Sequence, residues 1–129
     1  MRRFIITVGL LLLLPFAVCG QTRGGLLQGT WEGTGFQSND NSTWAMRLTF
    51  RGRSYVAEYP SLQCAGSWRL VSVSGARAVF RETITKGAER CAPRGNVIIE
   101  RLNSRQLGYW YSYRGSDEFV ASAILNRRR

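Results

Sequence analysis

Glu82 lies between Phe80 and Ile84 in the stretch "FRETITK", at a spacing of two residues from each. Strand side chains alternate between faces, so a strand here turns the carboxylate toward the same side as two large apolar groups. A carboxylate there needs a hydrogen-bonding partner, an arginine or a tyrosine hydroxyl, because burying it alone is costly. Satisfied in this way it fixes strand register; facing a pocket, it accepts a hydrogen bond from a ligand. The stretch "LGYWYSY" is the second chemical candidate. It sets Leu107, Tyr109, Tyr111 and Tyr113 on one face and Trp110 on the other, between Gly108 and Ser112. Aromatic rings near arginines stack on flat ligands, bases or sugars, which makes Tyr109, Trp110, Tyr111 and Tyr113 candidate ligand or partner contacts beside Glu82.

What is missing narrows the chemistry. The chain has no histidine, which removes the commonest general base and metal ligand. A Ser or Cys nucleophile would depend on Lys86 or a carboxylate, and neither Ser-x-x-Lys nor Gly-x-Ser-x-Gly is present. No catalytic residue, metal site or cofactor is therefore expected, and the protein reads as a non-enzymatic one.

Cysteine usage depends on the first twenty residues. Arg2 and Arg3 precede an apolar run from Ile5 to Val18, the layout of an export signal and shorter than the roughly 20 residues of a spanning helix. Residues 1–20 are read as signal peptide, 21–27 as a flexible lead-in, and 28–129 as one domain with a short basic C-terminal tail. Ordinary cleavage beside Cys19 or Gly20, lipidation of Cys19 at Phe16-Ala17-Val18-Cys19, and an uncleaved anchor all remain open; a membrane enters only through that lipidation. Cleavage or lipidation places Cys64 and Cys91 in an oxidising space as the thiols of the folded part, where a disulfide persists. Closing a loop of about 28 residues stabilises a fold by roughly 3 to 4 kcal/mol on a chain-entropy argument.

Removing Arg2 and Arg3 would leave 16 basic residues against 8 acidic, and Lys86 alone among them is a lysine. Such a surface favours anionic partners: an anionic envelope polymer or lipid surface. Arg47, Arg51 and Arg53, together with Arg128 and Arg129 in the tail, are the candidate anion contacts. A secreted protein is the other partner class. Nucleic acid is disfavoured for an exported chain with no recognition-helix or RNA-binding motif. Asn41-Ser42-Thr43 formally matches a glycosylation acceptor and reads as part of a turn.

The elements that must position these residues are strands. In "STWAMRLTFR", Trp44, Met46, Leu48 and Phe50 alternate with polar neighbours, the period of a half-buried strand. "SYVAEYP" follows after Arg51-Gly52-Arg53, with Tyr55, Ala57 and Tyr59 on one face. "CAGSWRLVSVS" and "ARAVFRETITK" flank Ser74-Gly75, and "NVIIERL", "QLGYWYSY" and "EFVASAIL" continue the series after "LQGTWEGTGFQ" at the start. About eight short strands with turns between them predict an all-β fold, an antiparallel meander closed into a small barrel with one disulfide. Trp44, Phe50, Phe80 and Tyr109 should fill most of its interior.

The segments "YPSLQCAGSW", "FRETITKGAERC", "GNVIIERL", "LGYWYSY" and "ASAILNR" resemble small extracytoplasmic β-domains found alone or attached to bacterial serine/threonine kinases. The resemblance spans roughly residues 28 to 127 and brings no catalytic motif. It implies a binding module for an envelope component, a small ligand or a protein, with inhibition of a secreted enzyme as the alternative. More distantly, "GTWEG" and Arg127 are similar to the Gly-x-Trp and closing arginine of lipocalin-type barrels. That similarity implies a structural pair, Trp31 packed under Arg127 at one barrel end.

Intact mass of the exported protein tests the processing reading. A chain beginning at Gly20 or Gln21, two hydrogens lighter than the reduced form, is expected. A diacylglycerol-sized addition on Cys19 would establish the anchored form instead, and two free thiols would defeat the disulfide.

Overall fold

A computed structural model describes residues 27–129; the expected signal segment, Cys19 and most of the expected lead-in lie outside the described residues. Eight strands run in order: β1 (Gly29–Gln37), β2 (Thr43–Arg51), β3 (Ser54–Tyr59), β4 (Cys64–Ser74), β5 (Arg77–Lys86), β6 (Arg94–Asn103), β7 (Gln106–Tyr113) and β8 (Ala121–Arg127). Each pairs antiparallel with the next, and β8 returns to β1, closing the barrel. Two-residue loops at 52–53, 75–76 and 104–105 join three of the hairpins, the connection best matched to strand twist. Closure leaves no unpaired edge.

The period-two pattern decides which side chains fill the interior. Trp44, Met46, Leu48 and Phe50 of β2 are buried, as are Tyr55, Ala57 and Tyr59 of β3, while their neighbours on each strand are more exposed. Phe50 stacks on Phe80 at 5.8 Å and meets Tyr55 edge-on at 5.4 Å; Trp68 tilts against Phe80 and stacks on Tyr109 at 6.0 Å. Such contacts add about 0.5 to 1.5 kcal/mol each beyond area burial. The aromatic column runs most of the barrel's length.

One end is plugged. Trp31 is fully buried, its indole N–H donates to the Leu27 carbonyl at 2.9 Å, and the Arg127 guanidinium lies 4.1 Å from its ring centroid. Arg127 also donates to the Gln28 carbonyl at 2.6 Å and the Ser104 carbonyl at 3.2 Å, so a single side chain ties β8 to the start of β1 and to the β6–β7 turn. Three details depart from the sequence reading. Leu27, assigned to the flexible lead-in, is buried, because the indole needs its carbonyl. The last strand begins at Ala121 rather than Glu118, since the exposed Phe119 falls outside the ladder while the Val120 N–H already bonds the Tyr111 carbonyl. The expected basic tail is largely part of the sheet: Arg127 ends β8, and the Arg128 N–H donates to the Thr30 carbonyl.

The Cys64–Cys91 disulfide, 27 residues apart in sequence, joins the start of β4 to the β5–β6 loop at the other end of the barrel. Around it, the Arg90 guanidinium donates to the carbonyls of Leu62 and Gln63. The β3–β4 connection and the β5–β6 loop are thus clamped together beside the open mouth.

Arg127→Ala is expected to destabilise the fold by about 1 to 3 kcal/mol, from the cation–π contact and the charged hydrogen bonds it loses. Arg128→Ala keeps its backbone bond and should stay within about 0.5 kcal/mol. Thermal denaturation compares the two, and equal shifts would show that the Trp31 plug does not depend on Arg127.

Candidate ligand site at the barrel mouth

The mouth opens where β2, β4, β6 and β8 begin and β1, β3, β5 and β7 end. A cavity of about 260 Å³ lies there, lined among others by Trp44, Tyr59, Glu82, Tyr109 and Tyr111, with Tyr113 and Arg90 at its rim. The block Tyr59-Pro60-Ser61-Leu62-Gln63-Cys64 builds one wall. Pro60 ends β3 and starts a 3-10 turn over Pro60–Leu62, the Ser61 hydroxyl accepts the Ala45 N–H at 2.9 Å, and Cys64 anchors the far end in the disulfide. This fixes Tyr59 beside Trp44 without any long side chain spanning the gap.

Two aromatic rings enter the mouth only because glycines face them. Trp44 stands opposite Gly35 in the β1–β2 register, and a β-carbon at Gly35 would come within 2.5 Å of the indole. A β-carbon at Gly95 would lie 2.1 Å from the Tyr111 ring. The rings therefore lie flat against bare backbone and leave space on their other faces.

Glu82 is the polar centre. It is 4% exposed and accepts hydrogen bonds from the Tyr59 hydroxyl and from the Trp68 indole N–H, the latter at 2.6 Å. Among the described residues no arginine pairs with it, so the partner is a phenol and an indole rather than a cation. Desolvation raises its pKa, opposed by those two donors. Burial is also the first cause that pushes the phenols of Tyr59 and Tyr109 well above the ordinary value of 10, reinforced by the Glu82 charge. Tyr111 is raised for the same reasons. These phenols stay protonated at neutral pH and act as fixed hydrogen-bonding groups.

The Trp44 indole nitrogen is buried and has no hydrogen-bond partner among the described residues. Leaving such a donor unmet costs roughly 1 to 3 kcal/mol.

The sequence candidates separate in space. Glu82, Tyr109, Tyr111 and Tyr113 come together at the mouth with Cys91, and Tyr111 and Tyr113 meet edge-on at 5.8 Å. Trp110 faces outward, its ring lying over Gly108. The anion candidates do not converge. Arg47 pairs with Glu32 at 2.9 Å and Glu58 at 3.8 Å, and Arg128 with Glu32 at 3.5 Å, because β1, β2 and β3 place these charges on the same outer face. Arg51 and Arg53 flank the β2–β3 turn at the plugged end, and Arg129 is exposed at the terminus. Sequence reasoning did not single out Tyr59, Trp68 or Arg90, and it took Trp44 as filling. Parity turned Trp44 and Tyr59 inward, but only cross-strand register brings them to one end.

Glu82→Ala should destabilise by about 2 to 4 kcal/mol, since it strands two buried neutral donors, whereas Glu82→Gln keeps an acceptor for them. The folded chain holds the Glu82 proton more tightly than the unfolded chain, so the unfolded state releases it first. Wild-type stability should then fall as pH rises from 4.5 through the raised folded value. Guanidinium denaturation across that window should show Glu82→Gln gaining on wild type as pH rises; a constant difference would show that the carboxyl is not desolvated.

No family profile and no curated protein matches the chain. Among solved structures, a redesigned β-barrel superposes with a TM-score of 0.66 at 16% identity, covering 81% of this chain and 93% of that one. A second redesigned β-barrel, mFAP1 bound to DFHBI, gives a TM-score of 0.59 at 14% identity, covering 79% and 95%. At these identities the likeness shows a shared fold: a small closed β-barrel.

Proposed function

We propose that the protein is an exported, non-enzymatic binding module that takes one small ligand in the mouth of its barrel. The observation that carries this reading is an open cavity walled by the rings of Trp44, Tyr59, Tyr109 and Tyr111. The ligand class follows from the lining: a flat ring or sugar face against Trp44 and the tyrosines. About 260 Å³ admits one ring system rather than a chain. The small-ligand reading is compatible with mFAP1, a barrel of the same architecture bound to DFHBI.

Export is supported by the signal-like first twenty residues and by the disulfide, which persists in oxidising compartments. The kinase-associated extracytoplasmic domains that the chain resembles, and the more distant lipocalin-type barrels, fit the same reading. Here the Tyr-Pro-Ser-Leu-x-Cys block forms the mouth wall. Against turnover stands the lack of histidine in the sequence, which removes the commonest general base.

A titration with p-nitrophenyl glucoside, followed by tryptophan fluorescence and by absorbance, tests the proposal. Saturable quenching without release of p-nitrophenol is expected. Trp44→Leu removes the aromatic face and should weaken binding about three- to tenfold; Tyr111→Phe, which removes only a hydroxyl, serves as the second variant. Absence of saturable binding, or affinity unchanged in both variants, would overturn the mouth as the site. Release of p-nitrophenol would overturn the non-enzymatic reading.

A further inference from the structure

A second concave feature lies on the outer wall, away from the cluster first expected to meet anions. A groove of about 400 Å³ crosses β4, β5 and β6 and is rimmed by Arg69, Arg81, Arg94 and Arg114. Ser67, Thr83 and Asn96 stand between these arginines, and the inward-turned Trp68, Glu82 and Gly95 belong to the floor. The ladder explains the clustering. Arg69 is directly opposite Arg81, Arg81 faces Asn96, and Thr83 is opposite Arg94. All of these alternate with buried residues and so point outward on adjacent strands, roughly 4.8 Å apart.

Two facts mark this set off from the acid-paired arginines. Arg47, Arg77, Arg90 and Arg128 each have a carboxylate within 4 Å, whereas Arg69, Arg81, Arg94 and Arg114 form no ion pair among the described residues. Like charges directly opposite in a sheet also destabilise it, yet Arg69 and Arg81 are paired in that way. Among the described residues, the only acid in the lining is Glu82, which is buried and bonded by Tyr59 and Trp68 on the inner side. The groove thus presents several guanidinium forks and neutral hydrogen-bonding side chains, and no exposed carboxylate competes with an anion.

We propose that this groove is a phosphate-binding site, separate from the barrel mouth, whose ligand carries phosphate groups bridging Arg69 and Arg81 and reaching Arg94 and Arg114. The planar, permanently charged guanidinium matches two oxygens of a phosphate at once. The hydroxyls of Ser67 and Thr83 and the amide of Asn96 supply uncharged donors along the same path. A bound phosphate between Arg69 and Arg81 also replaces a repulsion with two attractions, so binding should raise thermal stability.

Pyrophosphate and vesicles of phosphatidylglycerol in phosphatidylcholine separate a soluble source from a lipid headgroup. The expected result is saturable binding to at least one of them, weakening steeply with salt as charged contacts do. The double variant Arg69→Gln/Arg81→Gln should lose about tenfold or more in affinity and the ligand-dependent rise in melting temperature. Without ligand it should melt no lower than wild type, since the opposed charges are gone. Arg94→Gln/Arg114→Gln gives an independent second variant. The control, Arg51→Gln/Arg53→Gln, removes the same charge at the plugged end and should bind within about twofold of wild type once salt screening is matched. Binding to pyrophosphate identifies a soluble phosphate ligand, and binding to vesicles alone identifies a headgroup. Failure of both probes to bind, or an equal loss in groove and control variants, would overturn the proposal.

Discussion

A carboxylate inside a small barrel is tolerable only when it is hydrogen-bonded, and Glu82 imposes that demand on its surroundings. The demand fixes Tyr59 and Trp68, which approach from β3 and β4 to donate to it. Trp68 in turn stacks on Tyr109 and leans on Phe80, and Phe80 stacks on Phe50. One polar group thereby sets the orientation of an aromatic column that most of the interior packs around. It also makes the mouth end a place of directed hydrogen bonds, while the far end is sealed by an indole under a guanidinium.

The two ends use different physics for different purposes. At the plugged end, Trp31 and Arg127 satisfy one another and the neighbouring carbonyls, and little polar capacity is left over. At the mouth, walls are also held from behind by Ser61, by Arg90 and by the disulfide. An unmet indole donor can persist in such a setting because the surrounding structure over-determines its position.

Much of the fold was legible because a two-residue period reports which side of a strand faces inward. Trp44 through Phe50, Tyr55 through Tyr59, and Glu82 between Phe80 and Ile84 all lie inward as their parity requires. Parity is local, however, and sites are assembled by register. That Arg47 would find Glu32 and Glu58 while Arg69 would face Arg81 depends on pairings between strands, which no single-strand pattern contains. Leu27 was misplaced for a similar reason: its role is set by an indole four residues later that needs a carbonyl, not by its own neighbours.

The bare backbone at Gly35 and Gly95 has a consequence for how the barrel can diversify. Each glycine and its facing ring share one volume, so a side chain can be added on one strand only when the ring on the other shrinks. Neutral drift at these positions is therefore confined to linked double changes, and a lineage that makes one reshapes the mouth in a single discrete jump. Because the Trp31 plug shares none of these residues, such jumps leave the sealed end of the barrel untouched.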